Sequence, residues 1–206
     1  MLDTALRWAE RCSLAGVWFG GGLIFAAALL VSVDVTLRKL FAVTLGGADE
    51  LSGYAFAIGT SWAFAFALIK RANVRVDALY QHLPARLRGL LDVLALLALG
   101  VLVAYLTWYA WNVLATSWHL KAQSNSALKT PLWIPQGLWF MGLVLFLTTL
   151  ALLLARGLAA MMRGDWSTLH ALLSARSIAE DAEDESAYAR EAERAGGQAN
   201  GHGAAR

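Results

Sequence analysis

Residues 130–155, TPLWIPQGLWFMGLVLFLTTLALLLA, contain no ionisable side chain. The stretch exceeds the roughly 20 residues that a helix needs to cross a bilayer. Three further stretches also contain no Asp, Glu, Lys, Arg or His, residues 14–33, 51–69 and 93–114. Because backbone N–H and C=O groups inside hydrocarbon must bond within their own segment, each stretch is predicted to be helical. The sequence therefore predicts an all-α integral membrane protein with four transmembrane helices.

The composition supports lipid as part of the solvent. Hydrophobic residues are 58% of the 206, charged residues are 16%, and the mean hydropathy is +0.53. Soluble domains contain about 45–50% apolar and about 25% charged residues. A single cysteine, Cys12, excludes an internal disulfide, a CxxC redox pair and a cysteine-rich zinc site. With no basic recognition motif, we expect no nucleic-acid partner.

Lys and Arg residues near the predicted spans indicate the orientation. Nine lie at the N-terminus, in the second loop and after the fourth span, whereas four lie in the first and third loops. Since cytoplasmic loops carry the excess of positive charge, we predict that both termini are cytoplasmic. Cleavage of the first span as a signal peptide is the alternative. Its apolar run of about 20 residues exceeds the 7–15 of a signal peptide, so we expect a retained anchor.

Three segments outside the spans have their own character. Residues 1–13 are amphipathic and predict an interfacial helix, the alternative being a frayed terminus. In the second loop, Asp77 is a good N-cap for an elbow helix, and Pro84 suits the first turn of a helix running into span three. The basic residues of this loop could also simply reach anionic lipid. Residues 165–206 carry four basic and eight acidic groups and predict a disordered cytoplasmic tail after a membrane domain over 14–164.

The chain lacks the usual signs of chemistry. None of its four histidines lies inside a predicted span, and the spans carry no Asp, Glu, Lys, Arg or His at mid-depth. A haem with two axial histidines and a proton or ion pathway are therefore not expected. We predict no catalytic, substrate-binding, cofactor or metal residues.

Small residues indicate helix contacts instead. Span one carries Gly16 and Gly20, four residues apart, and span two carries a stripe made of Ala55, Gly59, Ala63 and Ala67. Small-xxx-small surfaces let helices approach closely in lipid. The stripe could pack the four helices together or form a seam for a larger partner, and the sequence leaves both open.

Three blocks around the spans carry a family resemblance. The first is DVTLRKLF (34–41) with ADEL (48–51), which includes Asp34, Arg38 and the acidic pair Asp49 and Glu50. The second is KRANVRVD (70–77) with LPARLR (83–88), which includes Arg71, Arg75, Asp77 and Pro84. The third is SNSALKTPLWIPQ (124–136), which includes Pro135. In order and spacing, residues 14–160 resemble the small membrane subunit of tripartite ATP-independent periplasmic (TRAP) transporters.

Two departures lie in the second block, where Ala72 stands for the family's usual glycine and Asn73 for its usual histidine. The acidic tail lies outside the resemblance. Asp34 with Arg38, and Arg75 with Asp77, are candidate ion pairs that shape the loops. Pro135 suits the first turn of span four.

The resemblance implies a non-catalytic scaffold in the bacterial inner membrane. Its implied partners are a large membrane subunit that works as an ion-coupled elevator, a periplasmic protein that delivers an organic anion, and the bilayer. Two alternatives remain open, a small membrane enzyme or electron carrier, and a standalone four-helix regulator whose tail recruits a cytoplasmic partner.

Overall fold

A computed structural model describes residues 2–71 and 84–164, together with the single residues Ser186 and Arg190. Four helices contain most of these residues: α1 Leu2–Phe41, α2 Ala48–Ile69, α3 Ala85–His119 and α4 Trp133–Met162. All four are long and apolar enough to cross a membrane. The described ranges hold no strand beyond one isolated bridge between Gln123 and Pro131. The predicted all-α fold with four apolar helices is confirmed.

The chain divides into two compact units, residues 1–174 and 175–206, and the four helices belong to the first. Of the second unit, Ser186 and Arg190 are described, and both are helical. The predicted acidic tail otherwise lies outside the described residues. The same holds for residues 72–83, which include Arg75, Asp77 and the predicted start of the elbow helix.

Helix α1 differs from the prediction at its N-terminal end. It runs without a break for 40 residues, so no separate interfacial helix precedes the first span. Charged residues such as Arg7 and Arg11 end an apolar run, but they do not end a helix, because Arg is a good helix former. At 1.5 Å per residue the helix is about 60 Å long, roughly twice the thickness of the hydrocarbon core.

Pro84 and Pro135 each lie at the start of a helix. Pro84 directly precedes α3, and its carbonyl accepts the N–H groups of Leu87 at 2.9 Å and Arg88 at 3.1 Å. Helix α3 then continues straight into the third span, with no break between residues 85 and 92. Pro135 is buried in the first turn of α4. A proline is tolerated there because the first N–H groups of a helix have no partner within it.

The four helices form an open layer. Helix α2 packs against α1 and α4, α4 also packs against α3, and α1 makes a smaller contact with α4. A shared core joins Ala65 and Leu68 of α2, Val93 and Val103 of α3, and Leu150 of α4. Within the described ranges, α1 and α3 therefore form the two edges of the layer, each with its outer face unpartnered.

Close backbone contact joins α1 to α2. A Cβ atom added to Gly20 would lie 2.7 Å from the Cα of Gly59, and one added to Gly59 would lie 3.0 Å from the carbonyl oxygen of Gly20. One added to Gly16 would lie 2.9 Å from Cε3 of Trp62. The small residues predicted on spans one and two thus meet each other inside the chain, so glycine is required sterically at these positions.

Trp62 connects three helices at this level. Its ring packs edge-on against Phe19 of α1, with centroids 5.9 Å apart, and beside Gly16. Its indole Nε1 donates to the backbone carbonyl of Leu138 on α4 at 2.9 Å. Gly142 of α4 leaves room for the same ring, because an added Cβ would lie 2.8 Å from Trp62 Cδ1.

We predict that Gly20→Leu separates α1 from α2. The added side chain meets the backbone of Gly59, which cannot rotate away. Overpacking of this kind costs about 1–3 kcal/mol. Thermal unfolding of the purified chain in detergent, followed by tryptophan fluorescence, is expected to show a lower midpoint.

Gly21→Leu is the matched control, because a Cβ at Gly21 meets nothing within 4 Å. The same substitution one residue along the helix is expected to leave the midpoint unchanged. Equal midpoints for the two variants would contradict the role assigned to the Gly20–Gly59 contact.

Candidate functional site

Two loops meet at one end of the helices: residues 42–47, between α1 and α2, and residues 120–132, between α3 and α4. We refer to them as the paired loops. The longer loop folds back on itself, since Ser124 N–H donates to Thr130 and Leu132 N–H donates to Ala122, both at 3.0 Å. The predicted topology requires these loops to share a side of the membrane, and their contact agrees with it.

Asp34 organises the shorter of the paired loops from the last turns of α1. Its side chain is 2% exposed. One carboxylate oxygen accepts from Arg38, which forms the predicted ion pair. The other accepts the Thr44 hydroxyl at 3.0 Å and the backbone N–H of Leu45 at 2.7 Å. Burial of this carboxylate is offset by three donors, so Asp34 fixes how the chain leaves α1.

Glu50 joins the paired loops from the first turn of α2. Its two oxygens accept the hydroxyls of Ser124 at 2.6 Å and Tyr54 at 2.7 Å. The hydroxyl of Ser126 lies 3.0 Å from that of Ser124, and Ser126 N–H donates to the Ser124 oxygen at the same distance. A carboxylate in the first helical turn also interacts favourably with the helix dipole.

Gly47 provides a second contact between the paired loops. It precedes α2 with a φ of 134°, a conformation that favours glycine. The Leu128 side chain packs directly against it, in the space that a Cβ would occupy. Glu50 and Gly47 together hold the longer loop against the start of α2.

The opposite end of the α1–α2 pair is closed by a surface ion pair. Lys70 lies 3.2 Å from Glu10, and its ammonium lies 5.7 Å from the centroid of the Phe66 ring. Both charged side chains are about half exposed, so the pair contributes little to stability. It nevertheless shows that the N-terminal turns of α1 lie beside the end of α2.

Polar side chains within the spans bond to their own helices. The hydroxyls of Ser32, Thr60, Ser61, Thr107 and Thr148 and the amide of Asn112 donate to backbone carbonyls three or four residues earlier, at 2.7–3.2 Å. The hydroxyl groups bonded in this way have used their one donor. Among the described residues, no group of three His, Cys, Asp or Glu side chains could hold a metal ion.

The remaining predicted contact residues are spread over several places. Asp49 is exposed beside Glu50, and Arg71 follows the end of α2. In the small-residue stripe, Ala55 and Gly59 are buried while Ala63 and Ala67 are half-buried. The structure therefore brings together one end of this stripe and not all of it. Their role as contacts with a second protein stays a prediction.

Several connecting residues had not been predicted from the sequence. Tyr54 follows Glu50 by four positions on one helix, a spacing at which side chains meet, so that contact had a local signal. Ser124 lies 74 positions from Glu50, and nothing local indicates the pairing. Thr44 and Trp62 likewise act through partners distant in sequence.

We predict that Glu50→Ala frees the longer of the paired loops. Loss of the carboxylate removes the acceptor for the Ser124 hydroxyl. Backbone amides within residues 122–131 are therefore expected to exchange hydrogen faster with solvent. Ser124→Ala should give the same pattern, and the double variant should add little, because both changes break one contact. Exchange is measured by mass spectrometry on the full chain in nanodiscs.

Ser52→Ala is the control variant for this experiment. The Ser52 hydroxyl bonds to the Asp49 carbonyl within its own helix. Ser52→Ala should leave hydrogen exchange in the longer of the paired loops unchanged. Fully additive effects of Glu50→Ala and Ser124→Ala would contradict a shared contact.

Comparison with known proteins assigns the family. No curated protein and no solved structure matches the chain significantly. A family model described as "Tripartite ATP-independent periplasmic transporters, DctQ component" matches residues 27–160, which are more than half of the chain. The match includes α2, α3, both paired loops, Asp34 and Glu50. The chain therefore belongs to the DctQ family, the small subunit of the TRAP transporters.

Proposed function

We propose that this chain is a fixed membrane scaffold that supports a large, moving TRAP subunit. That subunit would take up an organic anion, such as a dicarboxylate, coupled to ions, after delivery by a periplasmic binding protein. The complex would lie in a bacterial inner membrane, with both termini of this chain in the cytoplasm. The observation that carries this proposal is the open layer, whose edge helices α1 and α3 have free apolar faces.

The exposure of the edge helices supports a partner beside them. In the most apolar stretch of each helix, 11% of α1 and 22% of α3 are buried, against 33% in both α2 and α4. Large apolar side chains remain exposed on both edges, among them Trp18 and Phe25 on α1 and Val101 and Tyr105 on α3. Such faces suit lipid or the helices of a second membrane protein.

The contacts between helices and loops within the chain support a stationary role. Trp62 connects α1, α2 and α4, and the two glycines bring α1 and α2 into backbone contact. Glu50, in the first turn of α2, binds the longer of the paired loops, which connects α3 to α4. An elevator mechanism needs one part that stays in place while another moves, and a chain connected at several levels fits the stationary part.

Co-purification and uptake test the proposal together. The tagged chain, extracted in mild detergent, is expected to bring down a large membrane protein with many spans. Deleting the gene should abolish uptake of the carboxylates that wild-type cells import, measured over a radiolabelled panel, and re-expression should restore it. A stable chain that never associates with such a protein, or that moves a solute alone in vesicles, would contradict the scaffold role.

Cysteine labelling tests the proposed orientation. In a Cys12→Ser background, a cysteine introduced at exposed Asn125 is expected to react with a membrane-impermeant maleimide in spheroplasts. One introduced at exposed Arg11 should react only in inverted vesicles. The reverse pattern would place the paired loops in the cytoplasm and overturn the orientation while leaving the family assignment intact.

A further inference from the structure

An apolar groove opens between α3 and α4 at the end that carries the paired loops. Its volume is about 690 Å³, within the range of roughly 300–1,000 Å³ that is typical of small-molecule sites. The lining is almost entirely apolar and includes Trp111, Trp118, Trp133 and Met141, with His119 as the ionisable member. Nothing in the proposed scaffold role requires an empty groove here.

Two aromatic pairs bridge the groove walls. Trp118 of α3 meets Trp133 of α4 edge-on, with centroids 5.0 Å apart, and Trp111 meets Phe140 with centroids 5.5 Å apart. Between these contacts α4 presents Gly137, where an added Cβ would reach only Leu114 Cδ1, at 3.9 Å. The missing side chain keeps the groove open. A groove of this volume with an almost entirely apolar lining suits an extended hydrocarbon chain.

At the loop end of the groove, the nearest ionisable residues along α3 and the following loop are of the basic type. His119 lines the groove, and Lys121 follows two residues later with its backbone N–H bonded to the Trp118 carbonyl at 3.3 Å. The sequence holds no Asp or Glu between Asp92 and Asp165, a range that includes the groove-lining part of α3, all of α4 and their loop. Glu50, the carboxylate that does contact the loop, is held by the hydroxyls of Ser124 and Tyr54.

We propose that this groove binds one phospholipid from the leaflet next to the paired loops. An acyl chain would lie between the aromatic pairs, and the headgroup phosphate would lie near His119 and Lys121. Tryptophan rings favour the depth at which acyl chains meet headgroups, and basic side chains there attract phosphate. An anionic headgroup is favoured over a zwitterionic one, since no carboxylate of α4, of the loop or of the groove-lining part of α3 offsets the lysine.

Native mass spectrometry of the full chain tests the binding. Purified protein is exchanged into nanodiscs of phosphatidylglycerol or phosphatidylethanolamine and then released. Wild type is expected to retain one phospholipid and to favour phosphatidylglycerol. Gly137→Leu fills the groove and should reduce retention of both lipids about tenfold, a change of roughly 1.4 kcal/mol. The same substitution at Gly21, which faces open space, should not.

Charge variants separate the headgroup from the chain. Lys121→Gln is expected to remove the preference for phosphatidylglycerol while leaving phosphatidylethanolamine bound, and Lys39→Gln on α1 should change neither. Equal lipid retention by wild type and Gly137→Leu would overturn the proposal. So would loss of the headgroup preference in the Lys39 variant but not in the Lys121 variant.

A photocrosslink in native membranes tests the same site without extracting the protein from its lipids. A benzophenone amino acid replaces Met141, which lines the groove and is 56% exposed. An adduct with the mass of a phospholipid would support the proposal, whereas an adduct to a protein partner would show that another subunit fills the groove and would overturn it. Neither result depends on the family role, which the uptake experiment tests separately.

Discussion

The arrangement of this chain depends on how closely α1 and α2 approach at Gly20 and Gly59. In lipid, apolar surface gains little from leaving the solvent, so helices associate through packing and hydrogen bonds. Backbone contact at the glycines allows Trp62 to reach across the seam to Phe19 and also to α4 through the Leu138 carbonyl. Trp62 thus connects the α1–α2 contact to α4, which in turn packs against α3.

The paired loops stabilise the same arrangement by different chemistry. Near the headgroups, the competing solvent is water, and buried carboxylates need several donors. Asp34 obtains them from Arg38 of its own helix and from the shorter loop, whereas Glu50 obtains them from its own helix and from the longer loop. Glycine contacts at mid-helix and carboxylate contacts at the helix end thus act on the same pair of helices at different depths. Together they explain how a layer with two free edges keeps its shape.

The number and kind of helices could be predicted from sequence because the length of an uninterrupted apolar stretch depends only on neighbouring residues. The ion pair of Asp34 and Arg38 could also be predicted, since the two residues lie one helical turn apart. Helix ends were harder to predict, because Arg7 and Arg11 interrupt the apolar run of residues without interrupting the helical backbone of α1. The bond between Glu50 and Ser124 could not be predicted, because it depends on how two loops far apart in sequence approach each other. The mutual packing of Gly20 and Gly59 was one of two possibilities that the pattern left open.

The open layer has a consequence for synthesis of the protein in the cell. Many large apolar side chains stay exposed in this arrangement, among them Trp18 and Phe25 of α1. A copy made in excess of its partner subunits would therefore expose large apolar surfaces to other newly inserted chains. We expect production of this subunit to be matched closely to that of its companions, and orphan copies to be substrates for membrane quality-control proteases.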